Sequence, residues 1–526
     1  MKLGSRAQAL ERLASGAEHW DLLIVGGGIT GAGILREAAR RGLSAVLIEQ
    51  SDFASGTSSR SSKMVHGGLR YLGQGAVGMT RKAVRERERL LVEAPGLVER
   101  MPVAFTLRKG KFPGKRIFMR LLALYDRMAG INDHRFLSVD ELREREPGIA
   151  TDGLSGAAYY TDALTDDARL VLRVLGEAVA DGGLALNYIR AERLIERDGR
   201  VCGVVARDRN GDREIELRAT AVINATGAWA DDLRGRVIDE KRMRPLRGSH
   251  LIVPFERLPV SDAVTLFHPV DGRPVYAYRW LDATVIGTTD LDHDQSLAAE
   301  PSITREEVDY LLAAMTHQFP GVGIGEDDIV STMAGVRPVI DSGKRKDPSK
   351  ETREEAIRED RGLVTVSGGK LTTFRPIAMK VLEVVAPLIG AGDLPLDDRP
   401  VFTHGASANA VADTPAARRD LLAGRYGAGL ADLIAEAGDD DLEPLGGTSY
   451  SRAELRFALR HELTEHLDDL LLRRTRIGNL LRRGAAELLD DILELCREEL
   501  GWDAERAAEE RHRYESIVAR HYALPA

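Results

Sequence analysis

Cysteine is almost absent: Cys202 and Cys496 are the only two in 526 residues. They lie far apart and match no zinc-binding or redox spacing, so both read as reduced thiols of a cytoplasmic protein. No apolar run reaches the roughly 18 residues that a bilayer-spanning helix needs. The first 20 residues, MKLGSRAQALERLASGAEHW, hold no continuous apolar stretch and read against a secretory signal. A basic excess is missing too. The net charge of −9 argues against the basic face that general nucleic-acid binding requires. There is no internal repeat and no long low-complexity tract. What remains is a globular composition, 43% hydrophobic and 29% charged, in a chain long enough for two or three cores.

The chemistry begins at DLLIVGGGITGAGILREAARRGLSAVLIEQSD, residues 21–52. A short apolar strand runs into Gly26-x-Gly28-x-x-Gly31, followed by helical periodicity, a glycine stop at Gly42 and a second strand ending in Glu49. Gly26 permits a tight turn, Gly28 lets a pyrophosphate approach the backbone across Ile29 and Thr30, and Gly31 lets the helix pack on the strand. The helix N-terminus favours an anion, and Glu49 is placed to accept hydrogen bonds from a ribose diol. Two later segments repeat the strand-to-glycine pattern: AVINATGAWADDL (221–233), which carries Gly227, and GLVTVSGGKLTTFRPIA (362–378), which carries Gly369. A long dinucleotide sharing one site with distant segments points to FAD.

SSRSSKMVHGGLRYL (58–72) is a connector with unusual chemistry, since turns need serine and glycine but not Lys63, His66 and Arg70 as well. With GGGITGAGI, TDDARLVL, INATGAW, RGSHLIVP, IGTTD, GVRPV and SGGKLTTFR, it resembles the FAD-dependent sn-glycerol-3-phosphate dehydrogenases. These belong to the flavoprotein group that includes the D-amino-acid and sarcosine oxidases. The motifs run in family order from Gly26 to Arg375, and weaker similarity continues towards the C-terminus.

The resemblance implies that the serine-rich stretch follows the FAD and that HGGLRY faces the substrate. Arg70, Tyr71, Arg337, Arg353 and Lys370 are the implied binders of a phosphate dianion, with Arg337 and Lys370 also stabilising negative charge on the alkoxide or the reduced flavin. Abstraction of the hydroxyl proton during hydride transfer to flavin N5 calls for a base titrating near neutrality, so His66 and His250 are both candidates. On the cofactor side the expected contacts are Thr57, Ser58, Ser61 and Ser62 through hydroxyls, Ala191 through its backbone, and Gly227 by close approach. Gly369, Lys370, Leu371 and Thr372 open a helix facing the flavin. No metal is expected. HELTEH (461–466) is not a zincin motif, because its histidines are five residues apart and fall on different helix faces.

The expected fold is α/β. A Rossmann-type FAD domain is assembled from 18–90, 155–240 and 330–390, with an antiparallel-sheet substrate cap from 91–154 and 241–329 and a helical C-terminal domain from 400–526. The implied reaction is oxidation of sn-glycerol 3-phosphate to dihydroxyacetone phosphate, with electrons passed to a membrane quinone. An oxidase using O2 and an amine or amino-acid oxidase remain alternatives, and a non-catalytic flavin-binding sensor is a fourth reading. KFPGKRIFMRLLALYDRMAG (111–130) alternates basic and apolar residues, as a helix lying on an anionic membrane would. That reading places the protein peripherally on the inner face of the cytoplasmic membrane. A homodimer is compatible with all of this.

Overall fold

The computed structural model describes residues 2–112, 114–238, 240–341, 343, 354–392, 394, 398–405 and 416–525. Five parallel strands form the centre of the first sheet in the order Leu363–Ser367, Glu214–Asn224, His19–Val25, Ala45–Ile48 and Leu184–Leu186. His19–Val25 has neighbours on both sides, with Leu22 opposite Ala45 and Ala221. Its residues Leu22 to Ile24 are wholly buried, as a strand covered on both faces must be. The helix Ile29–Ala39 is buried almost all round because Asp167–Ala180 and Phe374–Val385 pack against it. Gly33 permits the second contact, since a Cβ there would lie 2.8 Å from the Phe374 ring.

Gly26, Glu49, Ala225 and Gly368 each follow the carboxyl end of one of these parallel strands, so the fold gathers four distant segments at one crevice. The second sheet has nine strands among the described residues and is antiparallel except where Ala263–Phe267 joins Val98–Arg108. Within it Pro274–Trp280 pairs with Ala283–Gly287, which pairs in turn with Met243–Pro254. Leu154–Thr165 and Ser331–Ile340, assigned by the sequence reading mainly to the dinucleotide-binding part, pair in this second sheet. Alternating apolar patterns fix a strand but not which sheet it joins.

The C-terminal part is helical, with Ala416–Tyr426, Leu489–Leu500 and Ala504–His521 its longest described elements. Within it, HLDDLLLRRT (466–475) forms no continuous helix but a single α-turn, Leu467–Asp469, followed by a wider π-turn, Leu470–Arg474. The reason is tertiary. Arg473 and Arg474 turn inward to the carboxylate of Asp52, beside the first sheet. No described helix is long and apolar enough to cross a membrane.

Candidate active site

One cavity of about 1530 Å3 runs along the crevice and under the second sheet. Ordinary small-molecule pockets span about 300–1,000 Å3, so this one suits a dinucleotide together with a second small ligand. At its first end the chain leaves His19–Val25 through Gly26, whose φ of +116° is in the glycine-favoured region. A Cβ on Gly26 would meet the Ala225 carbonyl oxygen at 2.5 Å, and one on Gly31 would meet the Gly26 carbonyl oxygen at 1.9 Å. Gly31 therefore sits behind the turn and supports it, while Gly26, Gly28, Ile29 and Thr30 line the cavity. Gly28 caps the Ile29–Ala39 helix without a side-chain hydrogen bond of its own, so the helix N-terminus, which favours an anion, borders the cavity.

Glu49 lines the same end. Its carboxylate accepts from Gly27 N–H at 2.6 Å and Ser51 N–H at 2.9 Å, and burial raises its pKa against those two bonds. A carboxylate has about four acceptor positions, so room remains for ribose hydroxyls. Thr57, Ser58, Ser61 and Ser62 also line the cavity, but their hydroxyls have work within the protein. Ser58 Oγ accepts from Ile29 N–H (3.0 Å), Thr57 Oγ1 donates to the Val336 carbonyl (2.5 Å) and Ser61 Oγ donates to Asp167 (2.7 Å). Ser62 Oγ is hydrogen-bonded to His250 Nε2 at 2.9 Å. Ala191, Gly227, Gly369, Leu371 and Thr372 complete the expected cofactor lining. A glycine turn that no side chain can fill, a helix N-terminus on the cavity wall and a buried acceptor at the strand end fit the FAD that the sequence implies.

At the other end the structure brings together Arg70, Arg337, Lys370, His66 and His250, which come from four separate segments. Arg70 is exposed on the short helix Leu69–Gly73. Lys370 Nζ lies 3.6 Å from the centroid of the Tyr71 ring and 3.0 Å from Met79 Sδ, so Tyr71 acts beneath the lysine rather than on the cavity wall. Arg337 Nη1 donates to Asp290 at 2.8 Å and Nη2 to Thr288 Oγ1 at 3.0 Å. Gly248 makes room for it, since a Cβ there would lie 2.1 Å from the guanidinium. Arg353 lies outside the described residues.

The two histidines differ. His250 is buried against Gly287, and its pKa is pushed down to about 3, chiefly by burial and then by the charges of Arg337 and Lys63. It is a neutral hydrogen-bonding group. His66 is half-buried, its ring packed against Tyr71 with centroids 6.4 Å apart.

Lys63, one of the cations that made the 58–72 stretch conspicuous, does not face the cavity. It is wholly buried, with Nζ 2.8 Å from Asp167 Oδ1 and Arg476 on the same carboxylate at 2.6 Å. Sequence reasoning missed Asp290 and Arg273, both on the cavity wall. IGTTD was already conspicuous and could have yielded Asp290, whereas Arg273 in a DGRP turn carried no signal. It also missed the C-terminal residues His466, Asp468, Arg473 and Arg513, which reach the cavity from the helical region beyond residue 400.

Residues 21–376 match the family described as FAD dependent oxidoreductase, and residues 385–507 match the C-terminal domain of alpha-glycerophosphate oxidase. An aerobic glycerol-3-phosphate dehydrogenase of Staphylococcus aureus is 32% identical over 517 residues, covering 92% of both chains. One from Staphylococcus epidermidis is 38% identical over 375 residues, covering 70% of this chain and 67% of the relative. Among solved structures, the glycerol-3-phosphate dehydrogenase of Bacillus halodurans complexed with FAD superposes with a TM-score of 0.80 at 29% identity, covering 98% of this chain and 97% of its own. The FAD-bound L-alpha-glycerophosphate oxidase of Mycoplasma pneumoniae shares the fold, with a TM-score of 0.57 at 18% identity over 72% of this chain and all of its own.

Proposed function

The chain belongs to the FAD-dependent oxidoreductase family and, within it, to the aerobic glycerol-3-phosphate dehydrogenases, and from that premise we propose that it oxidises sn-glycerol 3-phosphate to dihydroxyacetone phosphate. The observation that carries this reading is that Arg70, Arg337 and Lys370 line one cavity with the glycine turn, although up to 300 residues separate them in sequence. Three cations suit a phosphate dianion better than the single carboxylate of an amino acid. Arg70 and Lys370 hold the phosphate in this reading. Arg337, fixed by Asp290 and Thr288 on the cavity wall, supplies positive charge near the oxygen that becomes negative as the hydroxyl is lost.

Bound FAD supplies the two-electron acceptor for the hydride leaving the substrate's C2. His66 takes the hydroxyl proton, because His250, with its pKa near 3, is too weak a base at neutral pH. Anaerobic titration with sn-glycerol 3-phosphate tests the assignment. Bleaching of the flavin absorbance supports it, and an unbleached flavin refutes it.

A quinone is the proposed electron acceptor, reached at an anionic membrane surface. The helix Lys115–Ala129 supports this in altered form. Phe118, Leu122 and Tyr125 of that segment face the protein, Phe118 stacked on Phe105 at 4.6 Å. The outward face carries Lys115, Arg116, Ile117, Arg120, Leu124 and Arg127. Nearby Phe112 is 84% exposed. Basic and apolar groups on one exposed face suit peripheral binding to the inner leaflet. Oxygen uptake that equals substrate turnover without any quinone analogue would favour the oxidase instead.

A further inference from the structure

The outer wall of the cavity beside the Thr57–Ser59 turn is the loop Ser296–Pro301, and three pins hold it. Trp229 Nε1 donates to the Leu297 carbonyl at 3.1 Å, and the Trp229 ring itself packs over Gly56, where a Cβ would lie 3.2 Å away. Arg60, itself on the cavity wall and only 6% exposed, is ion-paired to Glu300. Tyr522 O–H donates to the same Glu300 carboxylate at 2.8 Å, and the Arg60 guanidinium lies 5.6 Å from the Tyr522 ring centroid. The third pin is Ser302 Oγ, hydrogen-bonded to His521 Nδ1 at 2.7 Å.

Two of these pins are supplied by the far end of the chain, and that end is itself anchored. Thr332 N–H donates to the Tyr522 carbonyl at 2.7 Å, and Arg305 Nη2 donates to the Pro525 carbonyl at 2.8 Å. Thr332 lies on Ser331–Ile340, the strand that also carries Arg337.

We propose that Arg60, Glu300 and Tyr522 are positioning residues for the dinucleotide: the chain's C-terminal segment latches the 296–301 wall over the cofactor groove and so sets how slowly FAD leaves. The inference rests on the FAD reading above and adds to it a role for the C-terminal segment. Arg60 borders the hydroxyl-rich turn and would otherwise be free to bind a phosphate. Glu300 occupies it instead, which makes the cation part of the wall. A carboxylate beside a pyrophosphate groove is tolerable only while that pairing persists. Tyr522 is the neutral third member that fixes Glu300 in place.

The test uses purified holoenzyme, with flavin fluorescence as the readout of release after dilution. Tyr522→Phe, which removes one hydrogen bond, is expected to speed release about threefold to tenfold. Glu300→Gln is expected to exceed that, because it also ends the Arg60 ion pair. The KM for sn-glycerol 3-phosphate should stay unchanged in flavin-loaded enzyme. Leu493→Ala, a core truncation in the C-terminal helices, is the control for general destabilisation. Faster release in the latch variants than in Leu493→Ala at matched melting temperature supports the proposal. Wild-type release rates in both latch variants, or rates that simply follow melting temperature, overturn it. A wild-type protein that takes up no FAD would overturn the cofactor reading and the latch with it.

Discussion

Replacing Lys370 with methionine is the cleanest way to probe the phosphate clamp. The side chain keeps its length and its packing on Tyr71, since a thioether also sits well against an aromatic ring. What disappears is one positive charge facing the cavity. A hydrogen bond to a charged partner contributes about 1.5–3 kcal/mol, so substrate binding should weaken by about tenfold to about a hundredfold. The folded protein should lose little, because lysine–aromatic contacts at accessible sites contribute about 0.5–1 kcal/mol. Arg337 would make a poorer probe. Its removal takes the 2.8 Å ion pair from the Asp290 side chain, only 3% exposed, and leaves it Arg273 at 3.8 Å; breaking a buried pair costs about 3–5 kcal/mol, an upper bound here. Any defect in Arg337→Met would therefore mix binding with stability. The assay is the anaerobic flavin-bleaching titration of Lys370→Met against wild type, with melting temperature measured in parallel. An unchanged midpoint in a protein that melts normally would refute the clamp.

His66→Gln should lower kcat by about a hundredfold to ten-thousandfold and remove the acid limb of its pH profile. His250→Asn should keep that limb, because His250 titrates near 3; the reverse result would exchange the two roles. Glu355 joins Lys82 and Lys380, 2.8 and 2.7 Å away, and despite the opposing effect of burial these bonds lower its pKa from 4.5 to about 2. Its stabilisation is therefore complete above pH 4.5 and is lost as pH falls towards 2. A lowering of this size corresponds to about 3 kcal/mol at most. Urea midpoints of Glu355→Gln and wild type should converge on acidification, and a constant gap between pH 6 and 3 would contradict the linkage. Arg116→Glu with Arg120→Glu should abolish flotation with anionic liposomes, and flotation equal to wild type would end the membrane reading.

The dinucleotide crevice was legible because its demands are local. Gly26 and Gly31 meet backbone oxygens at contact distance, so only glycine serves there, and the spacing survives as a motif. Glu49 was legible by its distance along the chain from that motif. The cation cluster was legible only through resemblance, since nothing local to GVRP or GGKLTT says that they meet. Sheet membership of Leu154–Thr165 and Ser331–Ile340 was hidden, because pairing partners lie far away in sequence. The C-terminal contribution was hidden for the same reason: Arg473 and Arg474 pair with Asp52, more than 400 residues away in sequence.

Burial, more than motif, separates the cations that hold the protein from those that hold a ligand. Lys63 and Arg70 lie seven residues apart in one stretch, and nothing in the sequence distinguishes their roles. Lys63 has no contact with solvent, and the cost of burying its charge is met by Asp167, itself shared with Arg476. That carboxylate is the anion this part of the stretch holds, and a phosphate arriving from outside could not displace it. Arg70 is exposed and forms no ion pair among the described residues, so its charge is available to an incoming ligand. Arg337 stands between them, ion-paired to Asp290 and on the cavity wall. A cation sealed inside the protein gives rigidity, and one that is both ion-paired and on the cavity wall gives rigidity while its charge still reaches the cavity. By that criterion Arg70, Arg337 and Lys370, all on the cavity wall, are the cations placed to meet a ligand, and Lys63 is not.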